Sequence, residues 1–182
     1  MNEKEVATLF KIITEGDVEE LKQRQNNGLR INFKFSYQNQ VDWTPLSIAC
    51  YNGDVEIVKL LLMDKEVDLN EPQNKNGETA FYIACSNRHI EIVKLLLNDQ
   101  RVDVNKADNK CYTPLMNACE EGHIDIAKLL LNDKRVKLGR ETRYGITSFC
   151  FACREGYIEI VELFIKNLML IKRMFMAKHL SI

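Results

Sequence analysis

TPLSIACYNGDVEIVKLLL, residues 44–62, decides the fold, because the chain writes the same sentence three more times. The copies are TAFYIACSNRHIEIVKLLL (79–97), TPLMNACEEGHIDIAKLLL (113–131) and TSFCFACREGYIEIVELFI (147–165). Their leading threonines are 35, 34 and 34 residues apart. A period of this size marks stacked units, none of which buries its apolar face alone. Within a unit the local chemistry predicts two helices. Thr44 and Thr113 are N-caps, and Pro45 and Pro114 suit a first helical turn, where a missing N–H costs nothing. The small Ala49, Ala84, Ala118 and Ala152 let a neighbouring helix come close. Gly53, Gly122 and Gly156 end the first helix, since glycine accepts the left-handed conformation of a C-cap. Ile57, Val58, Leu60 and Leu61 then repeat at helical spacing. Val67–Asn70 and Val102–Asn105 read as short extended stretches leading into polar hairpin turns such as Asn74–Gly77.

Outward from these four lies a degenerate fifth copy. Residues 15–19 (EGDVE) match residues 52–56 (NGDVE), and Ala7, Leu9 and Ile12 fall where Thr44, Leu46 and Ala49 lie. Its first helix carries Glu3, Lys4, Glu5 and Lys11, as a solvent-facing terminal cap requires. Gly16 precedes Gly53 by 37 residues, so the hairpin around Phe33–Val41 holds about three extra residues against the 34-residue period. The expected organisation is one domain over 1–182. Its units are about 4–37, 38–73, 74–107, 108–141 and 142–170, followed by a tail at 171–182.

These residues resemble the ankyrin repeat, with its T-P-L-H-x-A signature and a period near 33 residues. The resemblance runs from about Val6 to Leu170 and implies an all-α repeat solenoid of helix-turn-helix units joined by β-hairpin-like loops. The chain departs from the pattern in places. The signature histidine is Ser47, Tyr82, Met116 and Cys150. The helix-ending glycine is Arg88 in the third unit, and the hairpin glycine, kept at Gly77 and Gly145, is Asp42 and Cys111 elsewhere. The end of the second helix lacks its glycine, and Asn98 or Asn132 is expected to supply the left-handed turn. The resemblance further implies a protein-interaction module without an active site, whose concave groove of hairpin tips and first helices receives partners.

Bulk properties agree with a soluble domain: 46% apolar residues, 28% charged and a net charge of -1. That balance supplies no basic field for nucleic acid or anionic lipid. The N-terminus lacks the layout of a secretory signal and the longest apolar stretch is too short to span a bilayer, so a cytoplasmic or nuclear address is expected. Cys50, Cys85, Cys119 and Cys153 follow the repeat, which explains them as small apolar residues packed between stacked helices rather than as a disulfide framework. Cys150 and Cys153 form a CxxC pair, but without a second pair or histidines at zinc spacing no metal site is expected. Cys111 is read as an incidental surface thiol, and His89 and His123 as structural. Glu56, Glu91, Asp125 and Glu159 recur at one position near a helix N-terminus, where negative charge is favourable. With no phosphate loop, serine elbow or carboxylate pair, neither catalysis nor a cofactor is expected.

Recognition then falls to the exposed positions that the repeat leaves free. The candidates for partner binding are Trp43, Tyr51, Glu78, Tyr82, Lys110, Tyr112, Met116, Glu120, Tyr144 and Arg154. Trp43, Tyr51, Tyr112 and Tyr144 are expected to line one groove as aromatic anchors; for Trp43 and the tyrosines the competing reading is packing of the hairpin tips against each other. The last helix runs on through residues 161–176 with apolar residues all round it. It folds back as an irregular cap, pairs with another copy or a partner, or lies on a membrane surface, the first being preferred. The function read from the chain is a noncatalytic adaptor, scaffold or competitive inhibitor of a protein partner. The alternative is a regulatory or targeting subunit of an enzyme complex.

Overall fold

The computed structural model describes residues 3–27, 35–37 and 40–179. Five helix pairs follow one another: α1 (Glu3–Glu15) with α2 (Val18–Asn26), α3 (Pro45–Asn52) with α4 (Val55–Met63), α5 (Ala80–Ser86) with α6 (Ile90–Asn98), α7 (Pro114–Glu120) with α8 (Ile124–Asn132), and α9 (Ser148–Arg154) with α10 (Ile158–His179). Thr44, Thr79, Thr113 and Thr147 all cap their helices, each hydroxyl accepting from the backbone N–H three residues on. Gly53, Gly122 and Gly156 take positive φ, and so does Arg88 (φ 58°), which holds the glycine's conformation without being one. The long first hairpin forms a two-stranded antiparallel sheet, β1 (Phe35–Tyr37) against β2 (Gln40–Trp43). Later hairpins are reduced to single bridges, Gln73 with Glu78 and Glu141 with Thr147.

The pairs stack in two layers. First helices pack α1 on α3, α5, α7 and α9 in turn, while α2, α4, α6, α8 and α10 form the second layer. The first helices after α1 are short, seven or eight residues, and mostly buried, and α3 buries Leu46, Ile48, Ala49 and Cys50 between its neighbours. Burying such side chains is worth about 1.5–3 kcal/mol each, and the stack supplies what no single pair could.

Polar seams set the register between units. Gln73, buried, accepts from the Thr44 N–H (2.7 Å) and from the Ser47 hydroxyl (3.2 Å), tying the second hairpin to the start of α3. The Asn70 amide donates to the Arg101 carbonyl (2.8 Å) and its oxygen accepts from the Asp103 N–H (2.7 Å); Asn105 repeats this on Arg135 and Lys137. The Arg101 guanidinium donates to the Leu62 and Asp64 carbonyls at the end of α4, and Arg135 does the same for Leu97 and Asp99 after α6. These donors occupy orphan carbonyls that every helix C-terminus leaves.

Two local expectations are corrected. Asn98 and Asn132 are the last helical residues and make no left-handed turn; the chain leaves through Asp99 and Asp133 in extended conformation (ψ 116° and 120°). Their carboxylates accept from the Arg101 and Arg135 N–H groups, which turns the chain without glycine. Val67–Asn70 and Val102–Asn105 are bends and turns rather than extended stretches. Asp68 and Asp103 each accept from the N–H two residues on, and such Asx turns compete with strand.

The two ends differ. At the first unit Leu9, Ile12 and Ile13 are buried while Glu5 and Lys11 face solvent; the side chains of Glu3 and Lys4 lie outside the described residues. At the other end α10 continues unbroken to His179, so the tail is no folded-back cap. No glycine or proline follows Gly156 to stop it. Cys153 is also corrected: Cys50, Cys85 and Cys119 are buried by the following unit, whereas Cys153, on the last described helix pair, is exposed.

Candidate functional site

The hairpin tips and the open side of the first helices form one surface along the array. At its start Trp43, brought in by β2, is only 4% exposed and meets Tyr51 of α3 edge-on, with ring centroids 5.4 Å apart. Packing therefore claims Trp43, whereas Tyr51 is 40% exposed. Together with Glu78, Asn74, Asn76 and Ser86 they line a small cleft, half polar and half apolar. Asn74 donates to the Glu78 carboxylate (2.7 Å), which holds that charge at the cleft's edge.

Farther along, Tyr112 packs on Phe151, with centroids 5.3 Å apart and planes tilted by 46°. The Arg154 guanidinium lies over the same Phe151 ring, 5.0 Å from its centroid, and pairs with Glu120 at 3.3 Å. A cation over an aromatic face is attracted by the ring quadrupole, so Arg154 is held from below as well as from the side. Burial, then the Glu120 carboxylate, pushes the Tyr112 phenol above its ordinary pKa. Tyr144 stands 87% exposed on the next hairpin, and Lys110 is exposed on the tip before it.

Tyr82 and Met116 do not reach the surface. They are 5% and 0% exposed, because their position, the third residue of the first helix, faces the following unit. Tyr82 sits amid Glu78, Asp108, Glu120 and Tyr112, and burial foremost drives its pKa far up, so it stays a neutral phenol. It supports the surface from beneath. The structure thus brings Tyr51 and Glu78 together at one end and Tyr112, Glu120 and Arg154 at the other, with Lys110 and Tyr144 on the rim.

Two residues of this surface were not foreseen. Phe151 is the platform under Tyr112 and Arg154. Asn117 stands where the other units carry Ile48, Ile83 and Phe151, and its Oδ1 is buried without a hydrogen-bond partner among the described residues. The signal for both was present as a change of residue type at a repeat position otherwise held by isoleucine.

The histidines join units. His89 Nε2 lies 3.1 Å from the Tyr51 carbonyl, and its ring fills the space that the missing Cβ of Gly53 leaves. Burial, and the neighbouring Arg88 guanidinium, lowers the His123 pKa from 6.5. Among the described residues no three His, Cys, Asp or Glu side chains gather as a metal site would require, and no helix is long and apolar enough to cross a membrane.

The family model described as Ankyrin repeats (3 copies) matches residues 9–108 and 100–173. No curated protein matches the chain. With nearly the whole length covered by the repeat, the chain belongs to the ankyrin-repeat family.

Proposed function

We propose that this ankyrin-repeat chain is a noncatalytic module in the cytoplasm or nucleus that holds a protein partner across its hairpin-tip surface, as adaptor, scaffold or competitive inhibitor. Ankyrin repeats are in general protein-interaction modules, and the side chains of this surface support that use here. The observation that carries the reading is the division of labour along the array. Residues demanded by the repeat are buried, while Tyr51, Glu78, Lys110, Tyr112, Glu120, Tyr144 and Arg154 occupy the open side with aromatic and charged groups alternating.

Such a surface suits an extended or helical segment that offers apolar anchors to Tyr51, Tyr112 and Tyr144. A basic group would meet Glu78. Aromatic anchors contribute much area at low entropic cost, and each is worth about 2 kcal/mol when it is a hot spot. The test is affinity capture from native lysate with the wild-type chain and with Tyr51→Ala/Glu78→Lys/Tyr144→Ala. These side chains are exposed or partly so, so the variant keeps its circular dichroism spectrum. A protein retained by wild type and lost by the variant supports the reading. Equal retention by both overturns it.

A further inference from the structure

The last unit leaves open a face that every earlier interior unit has covered. Cys153 is exposed, yet its counterparts Cys50, Cys85 and Cys119 are fully buried. Cys150 is exposed, yet Ser47, Tyr82 and Met116 at the same position are buried. Ile158 is 71% exposed where Val55, Ile90 and Ile124 are partly buried, and Ile165 follows the same rule against Leu62, Leu97 and Leu131. In each earlier case the following unit supplies the cover. The stripe continues on α10 with Met169, 63% exposed, and Leu168. Scattered apolar side chains on a surface mean little, but a contiguous apolar stripe of this kind marks an interaction site.

We propose that this open stacking face pairs with the same face of a second copy about a two-fold axis, α10 lying antiparallel on α10. The chain's own tail does not cover the face, since α10 runs straight on to His179 and does not double back. The charges on the stripe are self-complementary. Glu162 and Lys166 stand one turn apart beside Ile165 and Met169, and among the described residues neither pairs with another charge. In an isologous contact residue i meets j while j meets i, so an antiparallel pair sets Glu162 of one copy against Lys166 of the other, twice. A head-to-tail stack is disfavoured, because α1 turns Glu5 and Lys11 outward at the opposite end and offers an apolar stripe no match.

The test is sedimentation equilibrium of the full chain in reducing buffer over a wide concentration range. The expected result is a rise from 21.1 kDa to twice that mass. Ile165→Glu, at a half-exposed position that leaves the fold intact by circular dichroism, stays monomeric. Glu162→Lys stays monomeric too, by like-charge contact with Lys166, and Glu162→Lys/Lys166→Glu restores the doubled mass. Cys150 and Cys153 react more slowly with a maleimide as concentration rises, whereas Cys111, remote from the face, reacts at an unchanged rate. A wild-type chain that remains at 21.1 kDa up to its solubility limit overturns the proposal, and so does a dimer unaffected by Ile165→Glu or by the charge reversal.

Discussion

Cys111 and Arg88 hold backbone conformations that the repeat normally assigns to glycine, with φ of 66° and 58°. A residue with a Cβ pays about 1–2 kcal/mol for the left-handed region. Cys111→Gly therefore raises stability by about 1 kcal/mol after allowance for glycine's freer unfolded chain, a gain of about 2–4 °C in thermal melting. The reverse holds at Gly53, where φ is 83° and a Cβ would come 2.7 Å from the His89 ring. Gly53→Ala costs about 2 kcal/mol or more in a denaturant titration. Thiol chemistry separates the cysteines as well. Burial raises the pKa of Cys50, Cys85 and Cys119, the last to about 12, while Cys150 is exposed and its Sγ accepts from the Thr147 hydroxyl at 3.3 Å. In dilute solution maleimide modifies Cys150 and Cys153 first, and mass spectrometry finds the buried Cys50, Cys85 and Cys119 unmodified until the chain unfolds. The glycine substitutions were legible in the sequence because each breaks a four-fold pattern at a fixed position. Gln73 was not, since its partners Thr44 and Ser47 lie 29 and 26 residues back and nothing in a loop glutamine names them.

Between neighbouring elements the arginine braces tie one unit to the next. Arg101 fills the carbonyls of Leu62 and Asp64 with one guanidinium while Asp99 holds its other edge, and Arg135 repeats the arrangement one unit on. Charge-assisted bonds to backbone carbonyls are worth about 1.5–3 kcal/mol, so Arg101→Ala costs about 2 kcal/mol in chemical denaturation. Arg101→Lys recovers little of it, because an ammonium lacks the planar fork. The same braces give the stack an acid limit. Hydrogen bonds from Arg101 and Arg135 hold the Asp99 and Asp133 carboxyls below their ordinary pKa of 3.8. A carboxyl depressed in the folded state releases its proton more readily there, so its stabilisation is present above 3.8 and is lost as pH falls through the lowered value. Melting temperature followed against pH falls in that acid window, and Asp99→Asn/Asp133→Asn flattens the fall. The helices and their caps were readable from threonine, proline and glycine positions. The braces were missed although N-D-x-R-V occurs twice, because a guanidinium that seeks main-chain carbonyls leaves no complementary residue in the sequence. The unbroken α10 follows from a tail with no helix-breaking residue.

Across the whole molecule, one repeat produces three surfaces with different fates. Its core faces are consumed by stacking. Its last stacking face is left open with an apolar stripe and a reciprocal acid and base. Its hairpin-tip side carries the residues the repeat does not dictate. Of the candidates named from sequence, Tyr51, Glu78, Lys110, Tyr112, Glu120, Tyr144 and Arg154 lie on that side with some surface to offer, while Trp43, Tyr82 and Met116 lie beneath it. Sequence position alone could not separate the two sets, since whether a side chain points at solvent or at the next unit depends on how closely the units stack. The most direct test of partner binding across the hairpin tips is amide hydrogen exchange of the chain alone and with its captured partner. Exchange is expected to slow in the hairpins at 74–78, 108–112 and 142–147 and in α3, α5, α7 and α9, with α4, α6 and α8 unchanged. Protection confined to the second helices, leaving the hairpins as in the free chain, would contradict it.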